Sequence, residues 1–452
     1  MAAVIFRSSL SFAARKSLAP SVSVLQRRAS SFSALKVSQD RLWDHIHSTC
    51  EMSGATTDGG LRRLSCDDND KKVRDWFASE VKKLGCKYEV DAMGCQWAIL
   101  PGENNKLPPI GIGSHLDSVQ SGGKFDGPLG VLTGLEVAKV LKESGKKTYA
   151  PICVINWTNE EGARFPPACM ASAVWAGEFD INAAHKCTDT ADKKTTIGDE
   201  LKRIGYAGKK ECSYKASPLS AHFEIHIEQG PRLENEGKDV GIVDSVQRMH
   251  WFNAGLRGFT RHADTTPMEL RRDALAGAAK IVLEIQRLGR ETGGMATVSL
   301  FKSQPQNFCN IPSAVDFSFS MQHPDKATLD GMKQQVASFV KKVAADDGLE
   351  IAEYDNIWSY DPNTFDKEAV ACLEASAKDL GYNYKKLISH TAHDSLYTNM
   401  RVPTAMAFTP CRDGISHNPL EYASPENCSV GAQTLLGAVL RYDDLLRKKH
   451  SG

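Results

Sequence analysis

The segment 110–157 opens with IGIGSH (110–115), continues with GPLGVLTGLEVAKVL (127–141) and closes with ICVINW (152–157). The first and last runs have the length and apolar composition of buried strands, whereas the middle run is apolar over the length of a helix. A strand, a helix and a second strand in this order predict an α/β unit with a parallel sheet. Sheets of this kind place their chemistry beyond the carboxyl ends of the strands, and polar residues follow both strands here.

Residues 247–357 follow a different pattern. An alternating strand from Trp251 to Leu256 precedes a helical segment, two further strands, a second helical segment and a strand near Glu350–Tyr354. The order β-α-β-β-α-β is that of the ferredoxin-like motif. Because α/β character resumes beyond this segment, we expect a catalytic domain made of residues 37–246 and 358–452, with a compact ferredoxin-like domain inserted between its two parts.

The 452-residue chain begins with a basic leader. Its first 39 residues hold six of the 55 basic side chains and none of the 55 acidic ones, and they are rich in Ser and Ala. This composition is typical of a mitochondrial transit peptide, so residues 1–36 predict targeting to the mitochondrial matrix, with cleavage near 27–31. The alternative is a basic tail without a targeting role on a cytoplasmic protein.

Composition also argues against several classes of protein. Basic and acidic residues balance over the whole chain, which gives no indication of a nucleic-acid partner. No stretch approaches the roughly 20 apolar residues that a membrane-spanning helix needs. The 12 cysteines are scattered without a C-x-x-C pair, so free thiols explain them better than a disulfide framework or a zinc cluster.

Five segments place His, Asp or Glu at predicted strand ends or in loops. They read GSHLDS (113–118), GKFDGPLG (123–130), TNEEG (158–162), EIHIEQG (224–230) and GISHN (414–418). Each alone is a weak signal, because a single His is more often structural and a Glu-Glu pair is more often solvated. Together they are a stronger one, since charges buried at strand ends are costly without partners or a cation.

Spacing within three of these segments suggests separate tasks. Asp117 follows His115 by two residues, so on an extended chain both side chains point the same way and the carboxylate can orient the imidazole ring. The glycines around Asp126 permit an unusual backbone and a close approach of a ligand. Adjacent Glu160 and Glu161 project differently, so one can bind a metal while the other faces a substrate water.

Longer phrases around these segments occur together in a known family. They are GSHLDSV, GKFDGPLGV, TNEEGARF, HIEQG, HADTTPM with RRDAL, and ISHNPLE, in order between about residue 40 and about residue 445. The chain thereby resembles the hydantoinase/carbamoylase family of dinuclear-metal amidohydrolases, which contains L-N-carbamoylases, yeast-type β-ureidopropionases, and allantoate and ureidoglycolate amidohydrolases. The resemblance implies a metallopeptidase-like α/β catalytic domain with a mixed, largely parallel sheet, and an inserted α+β domain for dimerisation and for covering the site.

Carried over motif by motif, the resemblance implies two divalent metal ions per subunit. His115 and His226 would bind one ion, Glu161 and His417 the other, and Asp126 would bridge the two. Histidine and carboxylate ligands suit Zn²⁺ or Mn²⁺, and also Co²⁺ or Ni²⁺. Two such ions would lower the pKa of a shared water and so give a bridging hydroxide that attacks the substrate.

The resemblance also implies roles for residues around the metals. Glu160 would be the general base, taking a proton from the water and passing it to the departing nitrogen. His262 would donate to the oxygen of the scissile carbonyl, at the metal centre of the neighbouring subunit in a homodimer. Gln229 and Asn310 would contact polar groups of a small-molecule substrate.

The chain departs from the family in three places. Asp264 stands where glycine is usual, and residues 391–395 read TAHDS where relatives read G-A-G-H-D-A. Gln322 replaces the Arg of D-x-R-H-P, which grips a substrate carboxylate, and a neutral amide cannot form that charged fork. Either the substrate has no α-carboxylate there or another cation takes over, for which the nearby arginines are Arg261, Arg271 and Arg272.

These observations favour a metal-dependent hydrolase of carbon–nitrogen bonds other than peptide bonds, in linear amides. The expected substrate is an N-carbamoyl (ureido) amino acid or a related ureido compound. An N-acyl amino acid or dipeptide hydrolase with the same metal centre is the alternative. A non-catalytic binding protein on this fold is a remote one, because it would need a lost ligand or base and none is lost.

Overall fold

The computed structural model describes residues 35–451, so the predicted transit peptide lies outside the described residues except for its last two positions. The helices are α1 (Gln39–Met52), α2 (Asp68–Lys83), α3 (Pro128–Ser144), α4 (Met170–Ala176), α5 (Ile181–His185), α6 (Ile197–Arg203), α7 (Arg232–Asn235), α8 (Ala274–Thr292), α9 (Lys326–Asp346), α10 (Lys367–Asp379), α11 (Asp394–Thr398) and α12 (Pro425–Ser451). Among them, none has the length and apolar character to cross a membrane.

The strands form two sheets. They are β1 (Lys87–Val90), β2 (Gln96–Leu100), β3 (Ile110–His115), β4 (Ile152–Trp157), β5 (Ala221–Ile227), β6 (Val240–Val246), β7 (Met249–Arg257), β8 (Met295–Gln304), β9 (Ala314–Gln322), β10 (Glu350–Tyr360), β11 (Asn363–Thr364), β12 (Tyr384–Ser389) and β13 (Thr404–Thr409). The larger sheet has the order β1-β2-β4-β3-β5-β13-β6-β11, and β12 pairs with β6.

The larger sheet is mixed, as expected, with parallel pairing among its central strands and a further parallel pair between β12 and β6. Strands β4, β3, β5 and β13 run parallel to one another, whereas β1, β2, β6 and β11 make antiparallel pairs toward the edges. The predicted runs IGIGSH and ICVINW are β3 and β4, and every residue of both is buried. Burial on both faces explains why these strands are apolar throughout rather than alternating.

Helix α3 fixes the position of the loop before it. It begins with Pro128 at its first turn, where the missing N–H would be unpaired anyway, and it ends at Gly145 in the left-handed conformation. Gly134 lies so close to β4 that a Cβ there would come 2.7 Å from Val154 Cγ1. Leu132 packs into the same buried core as Val154. The helix is thus pressed onto the sheet, with its N-terminus beside the carboxyl ends of the strands.

The second sheet contains only antiparallel pairs, in the order β10-β7-β9-β8. Together with α8 and α9 it has the β-α-β-β-α-β order that the sequence predicts, and its core includes Phe252, Phe319, Ile281 and Val336. Both parts of the predicted fold class, a mixed α/β sheet and an α+β unit within it, are confirmed. The division at residues 246 and 357 stays a prediction, and β10 runs past the second of these to Tyr360.

Candidate metal centre

The predicted ligands and the predicted base Glu160 come together at the carboxyl edge of the four parallel strands. They are His115 at the end of β3, His226 near the end of β5, Glu160 and Glu161 in the loop after β4, Asp126 just before α3, and His417 after β13. Most of these side chains are buried, whereas that of His417 is half-exposed. The cluster therefore lies in a pocket, and His417 is at the solvent-facing opening of that pocket.

Asp126 lies between two groups of ligand atoms. Its Oδ1 is 3.0 Å from His226 Nε2 and 3.7 Å from His115 Nε2. Its Oδ2 is 3.1 Å from His417 Nε2, which is 3.2 Å from Glu161 Oε2. In each group, His115–Asp126–His226 and Asp126–Glu161–His417, the ligand atoms lie within 4.8 Å of one another. One carboxylate is thus common to two possible cation sites.

The chemistry of these donors fits metal ions. His115 Nδ1 donates to the carbonyl oxygen of Asp117, and His226 Nδ1 donates to that of Ile227. Each ring therefore directs Nε2 into the cluster, where neither Nε2 makes a well-formed hydrogen bond among the described residues. Glu161 Oε1 is buried without such a partner as well. Nitrogen lone pairs facing carboxylate oxygens repel unless a proton or a cation lies between them.

Charges within the cluster shift several pKa values strongly. Burial alone would lower the pKa of His226, but the Asp126 carboxylate outweighs it and raises that pKa to about 9. The Glu161 carboxylate raises the pKa of His417 to about 12. The pKa of Asp126 falls well below its usual range, because His226 and His417 overcome the opposing effect of burial. A divalent cation held by the same atoms would take the place of the protons on these rings.

Glu160 lies beside the first group of ligands but is held differently from Glu161. Its Oε2 is 3.5 Å from His115 Nε2, and its Oε1 accepts a hydrogen bond from the thiol of Cys169 at 3.3 Å. The Cys169 main-chain N–H also donates to the Glu160 carbonyl oxygen, at 2.6 Å. Burial raises the pKa of the Glu160 carboxyl well above its usual range, and the neighbouring Asp394 carboxylate raises it further.

Asp117 supports the site by a different contact from the one the sequence suggests. His115 Nδ1 bonds to the main-chain carbonyl of Asp117 at 2.9 Å, whereas the carboxylate Oδ1 is 3.9 Å from that nitrogen. The carboxylate instead accepts long bonds of 3.4 Å from the main-chain N–H groups of Glu160 and Glu161. Asp117 therefore connects the His115 strand to the loop that carries the two glutamates, and the expectation that its carboxylate orients the ring is wrong in that detail.

Ser416 and Glu421 hold Asp126 and its loop in place. Ser416 Oγ lies 2.9 Å from both Asp126 Oδ2 and Glu421 Oε2. Glu421 Oε1 accepts from the main-chain N–H groups of Phe125 and Asp126. Sequence reasoning gave neither residue a role, although both stand in the phrase ISHNPLE and that phrase was the signal available.

Two glycines allow the loop of Asp126 to approach its neighbours closely, as the sequence suggests. A Cβ at Gly123 would lie 2.2 Å from Glu421 Oε1, and a Cβ at Gly127 would lie 2.3 Å from His115 Cε1. Gly127 also has a φ of +83°, which side chains rarely tolerate. The loop of Asp126 can therefore approach both partners only with glycine at these positions.

His393 is another residue that the cluster includes. It is buried with its ring centroid 4.5 Å from that of His226, and neither of its nitrogens has a hydrogen-bond partner among the described residues. Burial lowers its pKa well below the usual range, so the ring is neutral. Its packing against His226 fits a structural role in the cluster.

The predicted substrate contacts are divided between two places. Gln229 Nε2 donates to Asp126 Oδ2 at 2.8 Å, and Gln322 Oε1 accepts from Gln247 Nε2 at 2.6 Å. His262 and Asn310 instead pair with each other in an isolated bridge on the inserted unit. Neither is among the described residues that line the two cavities at the cluster. Within one chain, the structure brings Gln229 to the ligands and leaves His262 and Asn310 away from them.

Two adjoining cavities open at the cluster. The smaller, of about 100 Å³, is lined by residues that include Asp126, Glu160, Glu161 and His393. The larger, of about 380 Å³, extends toward the inserted sheet, where Gln322 forms part of its wall. Gln229, Thr391 and His417 line both cavities. A small molecule can therefore place one end beside the ligand groups and the remainder in the larger cavity.

A third group of possible ligands lies elsewhere and has another explanation. Asp91, Cys95 and Cys212 are buried within reach of a common ion. However, the Asp91 carboxylate already accepts from the main-chain N–H groups of Met93 and Cys95 and from the indole of Trp97. We assign this group a structural role. All 12 cysteines are free thiols, in agreement with the sequence.

Residues 111–441 match the model of Peptidase family M20/M25/M40. The chain belongs to this family. Enzymes of the family are metal-dependent, which agrees with the two ligand groups of this M20 chain. The prediction of an enzyme on a metallopeptidase-like fold is thereby confirmed, whereas the roles of individual residues and the identity and number of the ions stay predictions.

Similar proteins narrow the family further. The N-carbamoyl-L-amino-acid amidohydrolase of Rhizobium meliloti is 38% identical over 413 residues, which are 91% of this chain and 98% of that protein. The ureidoglycolate hydrolase of Oryza sativa is 30% identical over 84% of this chain and 80% of its own length. The crystal structure of a hydantoinase/carbamoylase family amidase from Burkholderia vietnamiensis is 42% identical, covers 90% of this chain and 98% of its own, and has a TM-score of 0.87. The resemblance read from the motifs is confirmed.

Proposed function

We propose that this chain is a metal-dependent hydrolase of an N-carbamoyl amino acid or a related ureido compound. The observation that carries the proposal is the pair of ligand groups joined at Asp126, with Glu160 beside them and not among them. Similarity to an N-carbamoyl-L-amino-acid amidohydrolase and to a ureidoglycolate hydrolase supports the substrate class. Cleavage of the carbamoyl C–N bond would release ammonia and carbon dioxide together with the free amine.

In this proposal, His115, Asp126 and His226 hold one divalent cation, and Asp126, Glu161 and His417 hold the other. Zn²⁺ and Mn²⁺ suit this donor set best, and Co²⁺ or Ni²⁺ are compatible with it. When bound, such ions supply Lewis acidity that activates water and polarises the substrate carbonyl. Gln229 and Ser416 hold the shared carboxylate in place through Asp126 Oδ2.

Glu160 is assigned the transfer of the proton. The Cys169 thiol engages Oε1, so Oε2, which faces His115, is the oxygen available to take a proton from the attacking water. The same oxygen can return that proton to the departing nitrogen, which must be protonated to leave as an amine or ammonia. Burial favours this work, because it raises the pKa of Glu160 and makes the protonated intermediate state accessible.

We assign His262 to the site of a second subunit in a homodimer. It lies on an exposed loop of the inserted unit, where large apolar side chains are also exposed, among them Met268 at 74% and Phe308. Strand β8 is an edge of the second sheet and adds exposed Leu300 and Phe301. Exposed apolar groups of this extent are typical of surfaces that another chain covers.

The alternative substrates are N-acyl amino acids or dipeptides, since the family description covers peptidases. A panel with defined metals separates the possibilities. It comprises N-carbamoyl-β-alanine, N-carbamoyl-L-amino acids, allantoate and N-acetyl amino acids, each offered to the chelated and to the reloaded enzyme. We expect ammonia release from ureido compounds by the reloaded enzyme alone. Turnover restricted to N-acetyl amino acids would favour the alternative, and two bound metals without any turnover would favour a binding protein.

Mitochondrial targeting is a separate proposal that rests on the leader alone. A fluorescent protein fused to residues 1–36 should enter mitochondria. A matched fusion in which Arg27 and Arg28 are replaced by Glu should not, because the basic character of the leader is what such import recognises. Diffuse fluorescence from the unmodified fusion would support the cytoplasmic alternative.

A further inference from the structure

The larger cavity beside the metal centre contains polar groups that the proposed mechanism does not use. Its wall includes Arg232, His390 and Gln322, together with apolar Met295 and Phe408. Glu228 is the one carboxylate among the residues that line it. A cavity of about 380 Å³ that combines a cation, an imidazole and apolar groups has the composition of a small-molecule subsite.

His390 is a neutral hydrogen-bonding group without an internal partner. Both ring nitrogens are buried, and neither makes a hydrogen bond among the described residues. Burial, together with the positive charge of Arg232, lowers the pKa of His390 to about 4. A buried ring that donates to nothing in its own chain is costly unless a ligand or a water satisfies it.

The guanidinium of Arg232 is available to bind a ligand. The main-chain N–H of this residue donates to Glu228 Oε1, but its guanidinium makes no hydrogen bond or ion pair with any described residue. The Glu228 carboxylate is meanwhile held by the main-chain N–H groups of Arg232 and Leu233. The guanidinium therefore keeps its five donors for a ligand in the cavity.

Three arginines of the inserted unit, which the sequence offers as substitutes for the missing charge at Gln322, are less free to bind a substrate carboxylate. The Arg271 guanidinium donates to the carbonyl oxygens of Ala263 and Thr266, and that of Arg272 donates to Gly348. Arg261 stacks over the Phe259 ring. None of the three lines the larger cavity, whereas Arg232 does. Gln322 itself is neutral and already accepts a hydrogen bond from Gln247.

We propose that Arg232, with His390 beside it, binds a carboxylate of the substrate in this cavity. The inference rests on the proposed function and deepens it: the substrate is a ureido compound with an acidic group, which is recognised from the catalytic sheet and not from the position of Gln322. Arg232 provides the charged, two-pronged contact that a carboxylate prefers. His390 adds a neutral N–H, and Met295 and Phe408 contact the hydrocarbon between the acid and the scissile bond.

The test compares an acid with its amide. N-carbamoyl-β-alanine and N-carbamoyl-β-alaninamide, or the matched pair of whichever ureido acid is turned over, are given to the metal-loaded wild type, Arg232→Ala and Arg232→Lys. We expect the wild type to prefer the acid. Arg232→Ala should lose roughly 10- to 100-fold in kcat/KM on the acid, mostly through KM, and less than about threefold on the amide. Arg232→Lys should lie between, because a point charge replaces the fork.

A control variant and a binding measurement test the subsite separately from catalytic activity. Lys238→Ala removes a nearby cation whose amine donates to Asn383. This variant should leave kcat/KM unchanged on both the acid and the amide. Calorimetry with succinate on the metal-loaded Glu160→Gln enzyme, with and without Arg232→Ala, measures the subsite without turnover. Equal losses on acid and amide, a wild type that prefers the amide, or succinate binding that ignores Arg232 would each overturn the subsite. Absence of turnover on every ureido compound, with Arg232-dependent succinate binding, would overturn the proposed function and leave the subsite standing.

Discussion

At the carboxyl edge of the main sheet, residues far apart in sequence converge within one chain, whereas on the inserted unit His262 and Asn310 form an isolated bridge with each other on an exposed loop. The first group is held by buried strands that end side by side, so topology alone assembles it. The second has no such frame. One chain therefore brings both ligand groups together, and in the proposed function a second copy would supply His262 and Asn310.

The largest effect should come from the residue that the two ligand groups share. Asp126→Ala removes a carboxylate oxygen from both groups, so we expect the metal content to fall toward zero and turnover to become undetectable. His115→Ala, which touches one group only, should keep part of the metal content. Metal analysis of the purified variants checks both. Full activity in an Asp126→Ala protein of verified composition would remove the basis for the shared-carboxylate assignment.

Glu160 and Glu161 should separate cleanly although they are adjacent. Glu160→Gln keeps the shape of the side chain but removes the base, so metals should stay bound while kcat falls by about 10²- to 10⁴-fold. Glu161→Gln is the matched control, because it removes a ligand atom next to His417 and should lower metal content first. The reverse pattern in metal analysis would mean that the two roles are exchanged.

The proposed role of His262 in the site of the partner subunit can be tested by mixing two inactive chains. Glu160→Gln and His262→Ala chains, unfolded and refolded together or co-expressed, should form hybrid dimers in which one of the two sites has both residues intact. With random pairing and twofold symmetry, about a quarter of wild-type activity should return. Either chain alone should show none of it. A fully active enzyme that sediments as a monomer would contradict the role of His262 across subunits.

The sequence could predict the main sheet and its ligand cluster because both depend on local and repeated signals. Apolar runs of strand length ended in His115 and Trp157, and the side chains of the motif phrases therefore had to meet at one edge of a parallel sheet. The alternating strands of the inserted unit gave its ferredoxin-like order in the same way. In both cases the prediction rests on a pattern of many residues and does not depend on the rotamer of any one side chain.

What the sequence could not predict is which partner each polar side chain chooses. Asp117 lies beside His115 as expected, yet its carbonyl and not its carboxylate receives the ring N–H, because the carboxylate is directed at the loop of Glu160. Glu421 bonds to the main chain of Asp126 across 295 positions of sequence, a contact that only the folded loops create. Choices of this kind depend on rotamers and on tertiary packing.

Gln322 is the residue of the inserted unit at which charge can be tested, because it ends β9 and lines the larger cavity. Gln322→Arg would introduce the charge that the family resemblance implies at this position, and we expect kcat/KM on N-carbamoyl-α-amino acids to rise by roughly 5- to 150-fold. The substitution also breaks the bond from Gln247. Gln247→Leu is therefore the control, since it breaks that bond without adding charge and should give no such gain. High wild-type efficiency on α-amino acid substrates, unchanged by Gln322→Arg, would show that Arg232 already anchors an α-carboxylate and that a charge at position 322 adds nothing.

The smallest effect is expected from substitution of Cys169, whose thiol donates a hydrogen bond to Oε1 of Glu160. A thiol is a weak donor, so its loss in Cys169→Ala should lower kcat by about 2- to 10-fold, with KM and metal content unchanged. Cys169→Ser should restore most of the rate, because a hydroxyl donates to the same oxygen. Cys153→Ala is the matched control for a buried thiol away from the site. Its Sγ donates to the carbonyl oxygen of Val154, and the substitution should affect stability without affecting kcat. If both Cys169 variants matched the wild type in kcat, the hydrogen bond would have no part in positioning Glu160, and the orientation of the base would then rest on the main-chain bond between the two residues.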